Sequence, residues 1–428
     1  MFGTIVILIC LAVALKASLL WWRSFLNPVA LGILAWTPAL VLLNWPPFFV
    51  SPLYIHLNRP VGASLYLALV VGFASFWFGC MTVKALAKPG DFQVKEQLIL
   101  SRFSPGKGLL LFIIGFLVFS YGYLQSGLTG MSQLDATGVS ESRLALHLGW
   151  ISFIGLLMDI TAIAFFAYFL RTGKWIFVLP IIIALAGYSA TLQKSPVVWL
   201  GAGVAIACLL QPSASKRLLW HNVAARVIVL TISFLIILLM FWMNDVRGMS
   251  AAQLTTSSAA WEEQLFIYSG ASAIKNLSAI IDGYLPPDPP ALGAYLMRPL
   301  FWQFLDMESL QVSRYFEGVN TGTYLIYGWA DFRWIGLVLT PFLAGILVMV
   351  YLRFAIRGEL WGLILGAIAL RALAISASTD FLFDPTATIL IVLALGSSCF
   401  ARTTEKEQLV ANYGRYGPPI VTQALERR

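Results

Sequence analysis

Charge is scarce in this chain. Of its 428 residues, 11% are Asp, Glu, Lys or Arg, where an ordinary soluble domain carries about 25%. That shortage excludes a water-facing globular fold. Enzyme signatures are missing too. There is no Walker-type phosphate loop, no HExxH, no GxSxG and no CxxC. The sequence therefore offers no nucleotide cradle, zinc-protease helix, hydrolase elbow or dithiol centre. Aspartate pairs of the DxD kind, which hold a metal-bound nucleotide sugar, are also absent. Cysteine is rare. Cys10, Cys80, Cys208 and Cys399 lie singly in apolar runs without metal-ligand spacing, and they read as small hydrophobes. No metal and no cofactor is expected.

Long apolar runs stand where the charge is missing. Hydrophobic residues make up 59% of the chain. Runs of about 17 to 25 residues recur, the length a helix needs to cross a bilayer. A transmembrane barrel would show alternating strands of about 10 residues instead. The expected fold is all-α, a polytopic membrane protein of about eleven transmembrane helices. The spans are placed at 2–20, 28–45, 63–83, 108–126, 148–170, 175–190, 196–211, 223–243, 334–352, 360–378 and 384–401. The first run has no cleavage-like site after it, so a retained helix is expected.

The pI near 9.3 does not predict nucleic-acid binding, because the basic excess sits in short alternate loops. One set holds Arg23, the group Lys84, Lys88, Lys95, Arg102 and Lys107, then Arg171 with Lys174, Lys216 with Arg217, Arg353 with Arg357, and the tail from Arg402. The positive-inside rule places this set in the cytoplasm. The N-terminus is then outside and the C-terminal tail inside, as expected of an inner-membrane protein. The chain divides into an N-terminal bundle (1–243), a large outer loop (244–333), C-terminal helices (334–401) and a basic tail (402–428) suited to anionic lipid.

The outer loop is long but not of low complexity. Residues 254–285 carry apolar residues at helical spacing, and PPDPP at 286–290 breaks them. Residues 293–307 read as an aromatic-rich interfacial stretch. Ordered loops of this length are usually lids or binding elements. Arg247, Arg298 and Arg314 lie in it, Arg333 closes it, and Arg143 occupies the other sizeable outer loop. Lys194 sits in the short outer turn of YSATLQKSPVVWL (188–200). Arginine's planar fork suits phosphate, so this set points to an anionic ligand. Lys194 could equally snorkel to lipid phosphates.

Two charges fall within spans. Asp159 in FIGLLMDITAIAFF and Arg371 in ILGAIALRALAISAS mark function by default. They could pair and lock two helices, or Arg371 could line a head-group cavity. Chemistry on the outer face has no nucleotide supply, so a sugar donor there must arrive on a lipid. A polyprenyl diphosphate sugar fits: diphosphate for the arginines, an apolar tail for grooves between helices, and a saccharide for the loop aromatics.

Four stretches carry a family resemblance. They are RSFLNPVALGILAW (23–36), SRLALHLGWISFIG (142–155), LQKSPVVWL (192–200) and EGVNTGTYLIYGWADFRWIGLVLTPFLAGIL (317–347). In layout the chain resembles the Wzy-type polymerases of bacterial surface polysaccharides. The resemblance implies a GT-C-like membrane fold, metal-independent transfer, and a lipid-linked oligosaccharide as both donor and acceptor. It also implies a chain-length-regulating co-polymerase as a partner. On this reading Arg143, Lys194 and Arg314 stabilise the leaving diphosphate, with Arg298, Arg371 and Arg247 as further ligands. Glu317 is the first candidate for general base, and His147 and Asp331 are alternatives. Tyr315, Tyr324 and Trp302 are candidates to stack on sugars. Two other classes stay open: a ligase of related layout that moves finished glycan off its carrier, and a lipid-linked glycan transporter.

Overall fold

The computed structural model describes residues 2–22, 27–43, 55–88, 100, 103–126, 151–191, 194–210, 227, 231, 234–235, 266, 269–282, 290–301, 323–377 and 382–402. Its helices are α1 (Phe2–Trp22), α2 (Pro28–Leu42), α3 (Ala63–Leu86), α4 (Pro105–Gln125), α5 (Ile151–Thr172), α6 (Leu179–Ala190) and α7 (Lys194–Leu209). They continue with α8 (Ala271–Ile281), α9 (Ala294–Phe301), α10 (Tyr324–Phe332), α11 (Trp334–Ala355), α12 (Leu360–Ile375) and α13 (Pro385–Phe400). Short 3-10 turns cover Ile55–Asn58 and Trp175–Val178. Among the described residues there is no strand, only an isolated bridge between Phe103 and Arg402.

Every predicted span except 223–243 falls on a described helix; that segment lies almost wholly outside the described residues. α3, α4, α5 and α11 are long and apolar enough to cross a membrane. The protein is therefore all-helical, with the apolar helices of a membrane protein. Helix starts follow local chemistry. Asn27 caps α2 by accepting from the amides of Val29 and Ala30 at 3.1 and 3.2 Å, with Pro28 behind it. Asp384 caps α13 by accepting from Thr386 N at 2.8 Å, with Pro385 behind it. In both, the cap satisfies an orphan amide and proline occupies the position that needs no N–H.

Two apolar cores share α11. One gathers α4, α5, α6, α7, α11, α12 and α13. The other gathers α1, α2, α3, α8, α10 and α11. Glycine sets the closest helix crossings. A Cβ on Gly79 of α3 would lie 2.1 Å from the Phe342 carbonyl oxygen, and one on Gly345 of α11 would lie 2.3 Å from that of Phe76. Without a hydrophobic drive between helices in lipid, such close backbone contact is what holds them. α10 folds back on α11 the same way, through Gly328 and Gly336, and reverses at Arg333 with φ 55°.

One end of the bundle joins loops that the charge pattern grouped together. Leu100 N donates to Gly358 O at 2.7 Å, Arg171 Nη1 to Leu100 O at 2.8 Å, and Lys107 Nζ to Arg402 O at 3.0 Å. Within residues 244–333, α8 is a helix as expected, but not an interfacial one. Every residue from Ala271 to Ala279 is buried. Its packing on α2, α3 and the 3-10 turn at Ile55–Asn58 explains that. Residues 254–265 lie outside the described residues. α9 does lie at the surface, with Met297 and Leu300 exposed.

Candidate functional site

An apolar cavity of about 210 Å³ lies within the second core, walled by α1, α2, α3, α10, α11, α12 and the turn that follows α12. Aromatic rings line it. Trp36 meets Phe73 edge-on at 5.0 Å and Tyr324 edge-on at 6.1 Å. The Trp36 indole also donates to Ser376 Oγ at 2.7 Å, and Ser376 in turn donates to Leu373 O at 2.8 Å. These bonds fasten the end of α12 to α2 and let a polar hydroxyl sit in an apolar wall. Trp77 also lines the cavity. Its buried Nε1 donates to no group among the described residues.

Charged side chains gather where the α12–α13 turn reaches the cavity. Phe383 lines the cavity, and its carbonyl accepts from Arg298 Nε at 3.1 Å. The same guanidinium reaches Asp384 Oδ2 from Nη2 at 3.7 Å and lies 5.3 Å from the Tyr327 ring centroid. Asp384 is a third exposed, so the pair meets solvent. Asp331 is close by on α10. Its two oxygens accept from Tyr295 N at 3.0 Å and Leu296 N at 2.9 Å, which caps α9 from another helix. Burial pushes the Asp331 carboxyl above its ordinary range, against the pull of those amides and of Arg298.

Arg371 is buried on α12, four residues before its end at Ile375. Asp384, and Asp159 of α5, both lie within electrostatic reach of it. Asp159 is itself fully buried, and its Oδ1 accepts from the Tyr188 hydroxyl at 2.7 Å. Acidic and basic groups thus alternate from α5 through α12 and α13 to α9. Asp159 and Arg371 belong to this longer series rather than to an isolated couple.

Of the residues singled out in the sequence, Arg298, Asp331, Tyr324 and Arg371 come together around this turn. Lys194 opens α7 rather than lying in the turn before it; its side chain lies outside the described residues. Arg143, His147, Arg247, Trp302, Arg314, Tyr315 and Glu317 also lie outside them. Asp384 was missed. Its signal was available, because Asp followed by Pro ahead of an apolar run is a helix-start signature. Lys275 is a second charge, in the long segment, that the sequence did not single out. It is buried on α8, donates to Arg59 O at 2.5 Å, and burial lowers its pKa to about 8. Among the described residues no cluster of His, Cys, Asp and Glu is arranged to hold a metal ion.

The arrangement suits an amphipathic anion: apolar length in the cavity, negative charge beside Arg298. No family model, no curated protein and no solved structure matches this chain.

Proposed function

We propose that the protein is a membrane glycosyltransferase that joins polyprenyl-diphosphate-linked oligosaccharide repeat units into a bacterial surface polysaccharide. The observation that carries this reading is the guanidinium of Arg298 beside Phe383, which lines an apolar cavity. In this proposal the protein sits in the cytoplasmic membrane, works at the periplasmic face, and receives both substrates on lipid.

The reaction is a displacement at the anomeric carbon of the donor glycan. An acceptor hydroxyl on a second repeat unit forms the new C–O bond. The bond to the carrier diphosphate breaks, and the diphosphate leaves with its electron pair. The hydroxyl proton passes to a base, for which Glu317 is the first choice and His147 or Asp331 the alternatives. Negative charge develops on the leaving oxygen, and cations at that oxygen stabilise the transition state more than the ground state. Arg143, Lys194, Arg314, Arg298, Arg371 and Arg247 supply the cations. Trp302, Tyr315 and Tyr324 supply the aromatic faces for sugar. No cofactor enters this scheme.

Deletion of the gene tests it, with analysis of lipid-linked and surface glycans and complementation by wild type, Arg298→Ala and Lys194→Ala. Single repeat units accumulating in place of polymer are expected, and neither variant is expected to rescue while both still insert. Full-length polymer held on the lipid carrier would identify a ligase instead. Repeat units trapped on the cytoplasmic face would identify a transporter.

A further inference from the structure

We infer that the junction of α5 and α6 is a binding site for an anionic phospholipid, its phosphate at Arg171 and Lys174 and an acyl chain along the exposed face of α6. The inference does not depend on the proposed function.

α4 and α6 flank α5 on adjoining sides. Toward the far end of α6 they touch directly. The Phe119 ring lies edge-on to Tyr188 at 5.2 Å, and a Cβ on Gly187 would meet that ring at 2.9 Å. At the junction itself Tyr168 of α5 stands between them. Its ring centroid lies 6.0 Å from that of Phe103, just before α4, and 4.8 Å from that of Phe177, just before α6. Tyr168 and Phe177 are half-buried, so aromatic surface is open between the feet of α4 and α6.

Cations rim that surface. The Arg171 guanidinium lies 5.6 Å from the Tyr168 centroid and donates to Leu100 O at 2.8 Å. Gly173, with φ 71°, turns the chain at the end of α5, and Lys174 follows at once. Lys174 is exposed, and no hydrogen bond or ion pair holds its amine among the described residues. Leu100 N donates to Gly358 O at 2.7 Å, which brings the exposed Arg357 to the same end. Glu359 is the acid of that loop, and it accepts from Trp361 Nε1. A positive rim beside a membrane helix suits a phosphate diester.

The apolar part of the site belongs to α6. Trp175, Ile176, Leu179, Ile182, Ile183 and Ala186 are exposed, at a spacing that keeps them on one helical face. From Ile176 to Ala186 the stripe rises about 15 Å, roughly half of a ~30 Å hydrocarbon core. That is the depth of one acyl chain in one leaflet. Trp175 stands at its foot beside Lys174, where an indole marks the boundary between head groups and chains. An acidic protein would meet the cations and leave the stripe uncovered. A phospholipid covers both.

The test is lipid retention by the full-length protein in detergent, read by native mass spectrometry, with phosphatidylglycerol and phosphatidylethanolamine of identical chains. Phosphatidylglycerol is expected to be retained about fivefold more strongly, the effect of one basic residue at an anionic surface. Lys174→Gln is expected to remove most of that difference. Lys88→Gln, beyond the end of α3, is expected to leave it in place. An excess of inorganic phosphate is expected not to displace the lipid, because phosphate cannot cover the stripe. Equal retention of the two lipids by the wild type overturns the site. A loss in Lys88→Gln as large as in Lys174→Gln also overturns it, since the attraction would then belong to the whole basic end. Displacement by phosphate would assign the cations to a soluble anion and overturn the lipid. Lys174 is exposed, so its replacement leaves the fold intact and each outcome decides.

Discussion

Arg298 and Asp384 are remote in sequence but form an ion pair, Nη2 to Oδ2 at 3.7 Å. The pair ties surface helix α9 to the residue that caps α13. Asp384 thereby has two tasks, holding Thr386 N and balancing a guanidinium. An anion that competes for Arg298 would loosen this tie while leaving the cap in place. Arg298→Ala is expected to cost about 1 kcal/mol of stability, as a partly exposed pair does. Loss of polymer is expected to be far larger, about tenfold or more, if the guanidinium meets a phosphate. Arg298→Lys keeps the charge but not the fork and should fall between. Melting temperature and polymer yield measured on the same variants separate the two effects. Equal loss in both would mean that the pair is structural.

The α3–α11 crossing gives a prediction independent of function. A Cβ on Gly345 would lie 2.3 Å from a backbone oxygen that cannot turn away. Gly345→Ala is expected to destabilise by about 1–3 kcal/mol, and Gly345→Leu to prevent recovery of monodisperse protein. Gly396 has nothing within 4 Å of an added Cβ, so Gly396→Ala is the control. Thermal melts in detergent check the ranking.

Asp331 caps α9 from a neighbouring helix through two amides. Asp331→Ala removes both acceptors. The expected cost is about 1–2 kcal/mol, concentrated in α9. Hydrogen exchange at Tyr295 and Leu296 should accelerate while that of α11 is unchanged. Unaltered exchange at those two amides would show that the cap contributes nothing.

Lys275 supplies a pH dependence. Burial lowers its pKa from 10.5 to about 8. Between those values the unfolded chain binds more protons than the folded one, so stability rises with pH across that window. Below about 8 the folded protein bears the full cost of a buried ammonium, on the order of 3 kcal/mol. Lys275→Met removes that cost together with the hydrogen bond to Arg59 O. The wild-type melting temperature should therefore gain on the Met variant by roughly 3 °C or more between pH 7 and pH 10. A constant gap would mean that the amine is not held in the apolar core.

Helix placement was largely legible in the primary structure, for a simple reason. A bilayer gives backbone polar groups no partner, so apolar runs must close their own hydrogen bonds as helices. Local cap signals were present in it too, in Asn27–Pro28 and Asp384–Pro385, although neither was singled out. The burial of α8 was not legible. Its apolar stripe suggested one wet face, but its polar residues Lys275 and Asn276 are buried as well, and Lys275 bonds a carbonyl of a distant turn. Such a partner has no sequence signature.

The amino-acid sequence alone determined that this is an all-helical protein of apolar helices, where those helices fall, and which loops are basic. Each follows from composition and short-range periodicity. Tertiary structure decided which charges meet. Arg298, Asp331, Tyr324 and Arg371 were candidates among many, and only the packing of α9, α10, α12 and α13 drew them to one turn beside an apolar cavity. The physical reason is range. A helix is specified by neighbours a few residues apart, whereas a cavity and its charged end are made by chain segments tens to hundreds of residues apart, brought together by glycine contacts, remote caps and ion pairs.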